Sequence, residues 1–307
     1  MEQKRFFWLW GVLVLVVVML AMAFLGAPLQ ARLGLWGVFL TEIMLLIIAV
    51  AAALIMRIDL KEMLRIKPLR VRQIIGIVIM VLSGMILASG ANYVVFWFYP
   101  QGMQVVDKFA DLFSSLPGLL TWMIVAVLPG ICEEVLHRGF ILHTFSQSGI
   151  KGKWPVILWM GLIFGLFHLD PVRFLATGIL GMILTYLALK TENFLAPVLY
   201  HLLHNTLSVL PGIFATVDTG SLDIVKETML AVVGLFLILA ALALFTLRLG
   251  ARLVGPKLAD LGTEDAEKLK ASRKKMRIIT ACVSILLFVI GITCMVLYTL
   301  HTIKTFT

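Results

Sequence analysis

The chain has 307 residues, of which 61% are hydrophobic and 14% charged, and its mean hydropathy is +1.03. A soluble domain carries roughly a quarter charged residues, so no soluble core of this length could hide so much apolar surface, and lipid must be the solvent for most of the chain. The net charge of +9 does not point to nucleic acid, because the basic residues sit in short segments between apolar runs, as they do where charge sets membrane orientation.

Apolar runs that could cross a bilayer occupy 6–26, 34–56, 73–97, 117–146, 154–169, 173–190, 194–211, 227–247 and 278–300. A crossing helix needs about 20 apolar residues. The expected fold is therefore all-α, a polytopic transmembrane helical bundle of eight or nine spans. The first run follows Lys4 and Arg5. It is too long for a signal peptide and has no clear small-x-small cleavage site, so it reads as a retained anchor. The fifth and sixth runs are short and meet at Asp170-Pro171. Cys132, Cys282 and Cys294 all lie in apolar runs without a CxxC pair and read as buried free thiols.

If each run crosses once, the basic segments fall on one side. They are Lys4 and Arg5; Arg57, Lys61, Arg65, Lys67, Arg70 and Arg72; Lys151 and Lys153; Lys190; and the nine basic residues from Arg248 to Arg277. The positive-inside rule then places the N-terminus in the cytoplasm and, with nine crossings, the C-terminus outside. The expected setting is a bacterial plasma membrane. Residues 57–72 read either as an amphipathic helix in the headgroup layer or as a solvated loop. Val105–Leu116 reads as a surface helix on the outer side. Residues 250–277 read as a basic cytoplasmic helical linker in reach of anionic lipid. Three regions follow: an anchor with its amphipathic segment (1–72), a helical core (73–211) and C-terminal membrane helices with the linker (212–307).

An ionisable residue at mid-bilayer costs about 2.5–3.5 kcal/mol on insertion scales. The fourth run nevertheless holds Glu133, Glu134, His137 and Arg138. Glu134 and Arg138 are four apart and can pair on one helix face. Glu133 points about 100° away and is left to face a cavity. A partly desolvated carboxylate there suits a general base. His168 ends the fifth run, after Phe164, and taken alone would more often be a packing residue than a chemical one. In the seventh run His201 and Asn205 are four apart and can donate to one point; His204, three from His201, competes for that face. Together these groups supply a base for water and donors for an oxyanion, which is what amide hydrolysis needs.

In order along the chain, Glu133-Glu134-Val-Leu-His-Arg138, Phe164-Gly-Leu-Phe-His168 and His201-Leu-Leu-His-Asn205 resemble the EExxxR, FxxxH and HxxxN motifs of the CAAX-protease and bacteriocin-processing intramembrane proteases, which include the type II CAAX prenyl endopeptidases. The resemblance covers about 73–211. It implies that Glu133 and His168 polarise the attacking water, that His201 and Asn205 form the oxyanion hole, and that Glu134 and Arg138 support them. Phe164 would pack or line the substrate path. Nothing carries over to His137 or His204.

The resemblance favours a glutamate-based mechanism without a cofactor. The competing possibility is zinc held by Glu133, Glu134, His168 and His201, although no HExxH is present. The expected partners are the bilayer and a membrane-bound or lipid-linked peptide substrate, with no nucleic acid. Two other readings stay open: a non-enzymatic immunity or scaffold protein whose polar cluster is structural, and a proton-relaying transporter, against which stands the lack of an inverted repeat.

Overall fold

The computed structural model describes residues 7–147, 152–214, 229–256 and 262–306. Most of these residues are helical, and none of them forms a strand. Seven helices are long and apolar enough to cross a membrane: α1 (Phe7–Leu33), α2 (Leu35–Ile55), α4 (Val71–Phe98), α6 (Gly118–Ser146), α8 (Phe174–Thr191), α10 (within Met229–Val254) and α11 (within Thr263–Phe306). The protein is thus an all-α, polytopic membrane bundle. α7 (Lys153–Phe167) is apolar but shorter, and α9 (Leu195–Phe214) carries the third polar motif. Lys4, Arg5 and Lys151, which enter the topology expected from charge, lie outside the described residues.

The chain divides into two compact units, one of residues 1–70 and 95–217, the other of 71–94 and 218–307. In the first, α6 is the central helix, packed by α1, α2, α8 and α9. Its inner face carries Leu136, Phe140 and Ile141, which are fully buried beside Leu45 and Ala49 of α2 and Val18 of α1.

α6 is not a regular helix. Met123–Val127 and Val135–Ile141 are wound as π-helix, on either side of the Glu133-Glu134 pair. Such bulges arise where the i→i−4 ladder is interrupted and recur at functional sites. Here Pro129 has no N–H to give to the carbonyl four residues earlier, that of Val125.

α7 and α8 form a hairpin across a turn in which Asp170 Oδ1 accepts the Val172 N–H at 2.9 Å. The two helices approach through glycine. A Cβ on Gly181 would lie 2.6 Å from Phe164 Cβ, and one on Gly161 would lie 2.9 Å from the Gly178 carbonyl. Small residues are the usual means of bringing helices this close in a membrane.

Of the segment 57–72, only α3 (Leu60–Leu64) and the first residues of α4 are helical. Asp59 caps α3 by accepting from Lys61 N at 2.8 Å, and Arg65 ends it with φ +42°. The stretch between the two helices is held by Asn193, which donates from Nδ2 to the Lys67 carbonyl (2.7 Å) and accepts the Lys67 N–H (3.2 Å). The expected surface helix at 105–116 is α5 (Met103–Ser114).

In the second unit, α10 and α11 pack along their length. Within the segment 250–277, the described residues are the end of α10, the non-helical 255–256 and the first turns of α11, and 257–261 lie outside the described residues. α11 runs 44 residues without interruption, or about 66 Å at 1.5 Å per residue. This is longer than a bilayer core, so its polar first third continues beyond the apolar part.

Candidate active site

The three motif helices meet at a buried carboxylate. Arg138 Nη1 donates to Glu134 Oε1 at 2.8 Å, and both side chains are wholly excluded from solvent. The pair follows from the i,i+4 spacing on α6. The same Oε1 lies 2.9 Å from His201 Nδ1 on α9. Arg138 Nη2 donates to the Gly181 carbonyl on α8 at 2.9 Å, and its guanidinium lies 4.5 Å over the Phe164 ring of α7. One arginine thus ties α6, α7 and α8 together through charge-assisted bonds and a cation–π contact, and its partner Glu134 adds α9.

Phe164 is fully buried. Its ring meets the imidazoles of His137 (4.9 Å), His168 (5.1 Å) and His201 (5.8 Å) edge-on. Of the two roles expected for it, packing is the one this geometry fits: it is the apolar floor against which the polar groups stand.

The imidazoles are held in a consistent way. His168 Nδ1 lies 2.8 Å from the Phe164 carbonyl, and His137 Nδ1 lies 2.8 Å from the Glu133 carbonyl. A carbonyl only accepts, so Nδ1 carries the proton in each ring and Nε2 keeps its lone pair. His201 likewise turns Nδ1 to a carboxylate that already accepts from Arg138. His168 is half-buried, whereas His137 and His201 are buried. His204 does not join the cluster through a described hydrogen bond; its ring stacks on Tyr200 at 6.1 Å.

Asn205 is half-buried and donates from Nδ2 to the Val125 carbonyl at 3.2 Å. This is the carbonyl that Pro129 leaves without its usual helical donor. Beside it, Trp122 Nε1 donates to Thr206 Oγ1 at 2.9 Å, which further joins α6 to α9.

Glu133 is buried, and its Oε2 has no hydrogen-bond partner among the described residues. The ionisable groups around it include His201, Glu134, Arg173 and Arg138. Those around His168 include Arg173, His201 and Arg138. Glu133 and His168 therefore share His201, Arg173 and Arg138 as neighbours.

Two residues near the site were not singled out from the sequence. Arg173, in the α7–α8 turn, reaches the fields of both Glu133 and His168. Glu42, on α2, is buried and lies within the field of Glu133. Glu42 was legible in principle, since it is the only acidic residue in the run 34–56 and an intramembrane carboxylate is a functional candidate by default.

No three His, Cys, Asp or Glu side chains among the described residues converge as a metal-binding group. Glu134 Oε1 is shared by Arg138 and His201, and His168 Nδ1 is turned to a backbone carbonyl.

No curated protein and no solved structure matches the chain. A family model does match, over residues 115–207. That stretch contains all of the motif residues on α6, α7 and α9, and its family is the Rce1-like type II CAAX prenyl endopeptidases, the one that the ordered motifs resemble.

Proposed function

We propose that the protein is an intramembrane endopeptidase that hydrolyses peptide bonds of membrane-associated or lipid-linked peptides without a metal. The observation that carries this reading is the Glu134–Arg138–His201 cluster. It joins α6 to α9 with buried charge-assisted bonds while the adjacent Glu133 keeps an unpartnered oxygen among the described residues.

In this reading Glu133, with His168 Nε2, takes a proton from water. The resulting hydroxide attacks the carbonyl carbon and the carbonyl π electrons move to oxygen. His201 and Asn205 hold that oxyanion; the tetrahedral intermediate then collapses, the C–N bond breaks and the proton passes to the leaving amine. Asn205 retains a second N–H after its bond to Val125. His201 can donate from Nε2 while Nδ1 faces Glu134 only as an imidazolium, and Glu134 is the counter-charge already beside it. Glu42 shares a proton with Glu133 and returns it as the cycle turns. A prenylated or otherwise lipid-bearing peptide suits a site carried on membrane-crossing helices, and the matched family's description names prenyl substrates.

The test is cleavage of fluorogenic peptides, lipidated and plain, by protein purified in detergent. Glu133→Gln and His168→Ala should each lower kcat/KM by about 100-fold or more, and a chelator should leave the wild-type rate unchanged. Cleavage retained by Glu133→Gln would remove Glu133 from the role of base, whereas no cleavage of any peptide by the wild type would favour the scaffold reading, in which the ion cluster only holds helices together. Loss in chelator with recovery in zinc would overturn the metal-free mechanism.

A further inference from the structure

α10 and α11 run antiparallel. Gly234 meets Gly291, Ser284 Oγ donates to the Ala241 carbonyl at 3.0 Å, and Arg248 Nη2 donates to the Arg273 carbonyl. Over most of this seam the contacts are small or apolar. At the end near Val254 and Thr263 the character changes. Lys270, Arg273, Lys274 and Arg277 follow i, i+3, i+4, i+7 spacing and so form one stripe of α11. With Arg252 of α10 they line a cavity of about 280 Å³.

Arg248 adds a sixth cation, within the fields of Arg252 and Arg277. Its Nη1 is shut off from solvent and has no partner among the described residues. No carboxylate lines the cavity among the described residues. Arg273 is also held in place, since its Nη2 donates to the Pro256 carbonyl at 3.0 Å, and Arg72, at the start of α4, donates to the adjacent Gly255 carbonyl. Like charges fixed this closely repel, and an anion between them offsets that cost.

We propose that this cavity binds a phosphate-bearing anion with more than one negative charge, and that a lipid headgroup is the source. Five converging cations suit the several acceptor oxygens of phosphate, which arginine grips bidentately. The depth is also that of a headgroup. The apolar stretch of α11 begins at Ile278, directly after Arg277, and that of α10 ends at Leu247, directly before Arg248. Both boundaries mark the edge of the hydrocarbon, where basic side chains collect anionic lipid. The site lies outside residues 115–207 and does not depend on the peptidase reading.

The experiment is thermal unfolding of the full-length protein in neutral detergent, with added tetraoleoyl cardiolipin, inorganic pyrophosphate or phosphatidylcholine. Cardiolipin should raise Tm by about 5 °C at saturating levels, and phosphatidylcholine should not. The shift should persist in Lys275→Gln, a change on the same helix but outside the cavity lining. It should fall at least fivefold in the triple variant Lys270→Gln/Lys274→Gln/Arg277→Gln. Without ligand that variant should be at least as stable as wild type, because its repulsion is relieved. An equal shift with pyrophosphate would support the phosphate site and make a soluble phosphate its source. No shift with either anion, or an undiminished shift in the triple variant, would overturn the proposal.

Discussion

Glu133 and Glu134 are neighbours in sequence and differ in everything else. Glu134 sits between Arg138 and His201, wholly buried. Glu134→Ala would leave a buried guanidinium without its counter-charge, a loss of about 3–5 kcal/mol. Glu134→Ala should therefore lower Tm markedly in detergent, and Arg138→Ala should do the same. Glu42→Gln removes the ionisable group proposed to share a proton with Glu133 but keeps its size and a hydrogen-bonding head. On the proposed cycle it should lower kcat about tenfold with little change in KM or Tm, because proton return is slowed while packing is preserved. An unchanged kcat would make Glu42 a packing residue with no part in the chemistry.

At the level of elements, the π-wound stretches of α6 set the polar face. Pro129 frees the Val125 carbonyl and Asn205 fills it, so α6 and α9 are joined by a bond that a regular helix would not offer. Pro129→Ala would restore the missing N–H and let that carbonyl bond within α6. The variant should keep or raise Tm while cleavage falls, since Asn205 loses its anchor and the face bearing Glu133 is re-aimed. Thermal unfolding and kcat/KM measured on one preparation separate the two effects. The α7–α8 hairpin makes the complementary case. Gly181→Ala would drive a methyl to 2.6 Å from Phe164 Cβ, and overpacking of this kind costs about 1–3 kcal/mol. Because the Phe164 ring packs against Arg138 and three imidazoles, the same change should also lower activity.

At the scale of the whole molecule, the exposed surface is that of a protein solvated by lipid. Phe98, Ile55, Phe24 and Leu119 stand open, as do Ile285 and Leu286 of α11. The basic loops set the expected orientation. In intact cells expressing a variant free of the three native cysteines, Lys61→Cys should be shielded from an impermeant maleimide and Ser114→Cys should react. The reverse pattern would invert the topology.

The membrane class, the helical content and the three motifs in order were legible in the sequence, because hydropathy and i,i+4 spacing are local properties that a single chain displays. So was the Glu134–Arg138 pair, which needs only one helix. The His201–Glu134 bond was not, since it joins residues 67 apart; no spacing rule reaches across two helices. Sequence spacing likewise left His201 and His204 as rivals on α9, and only the packing of α9 on α6 turned His201 to the carboxylate. Glu42 announced itself as a lone acid in an apolar run, but its place within the field of Glu133 depends on how α2 lies on α6. The basic end of the linker at 250–277 read as separate from the span that follows, and the two are one continuous helix from Thr263. The facing of its basic stripe towards Arg248 and Arg252 came from antiparallel pairing with α10. Local pattern thus determined which residues could carry chemistry; the packing of helices distant in sequence decided which of them meet.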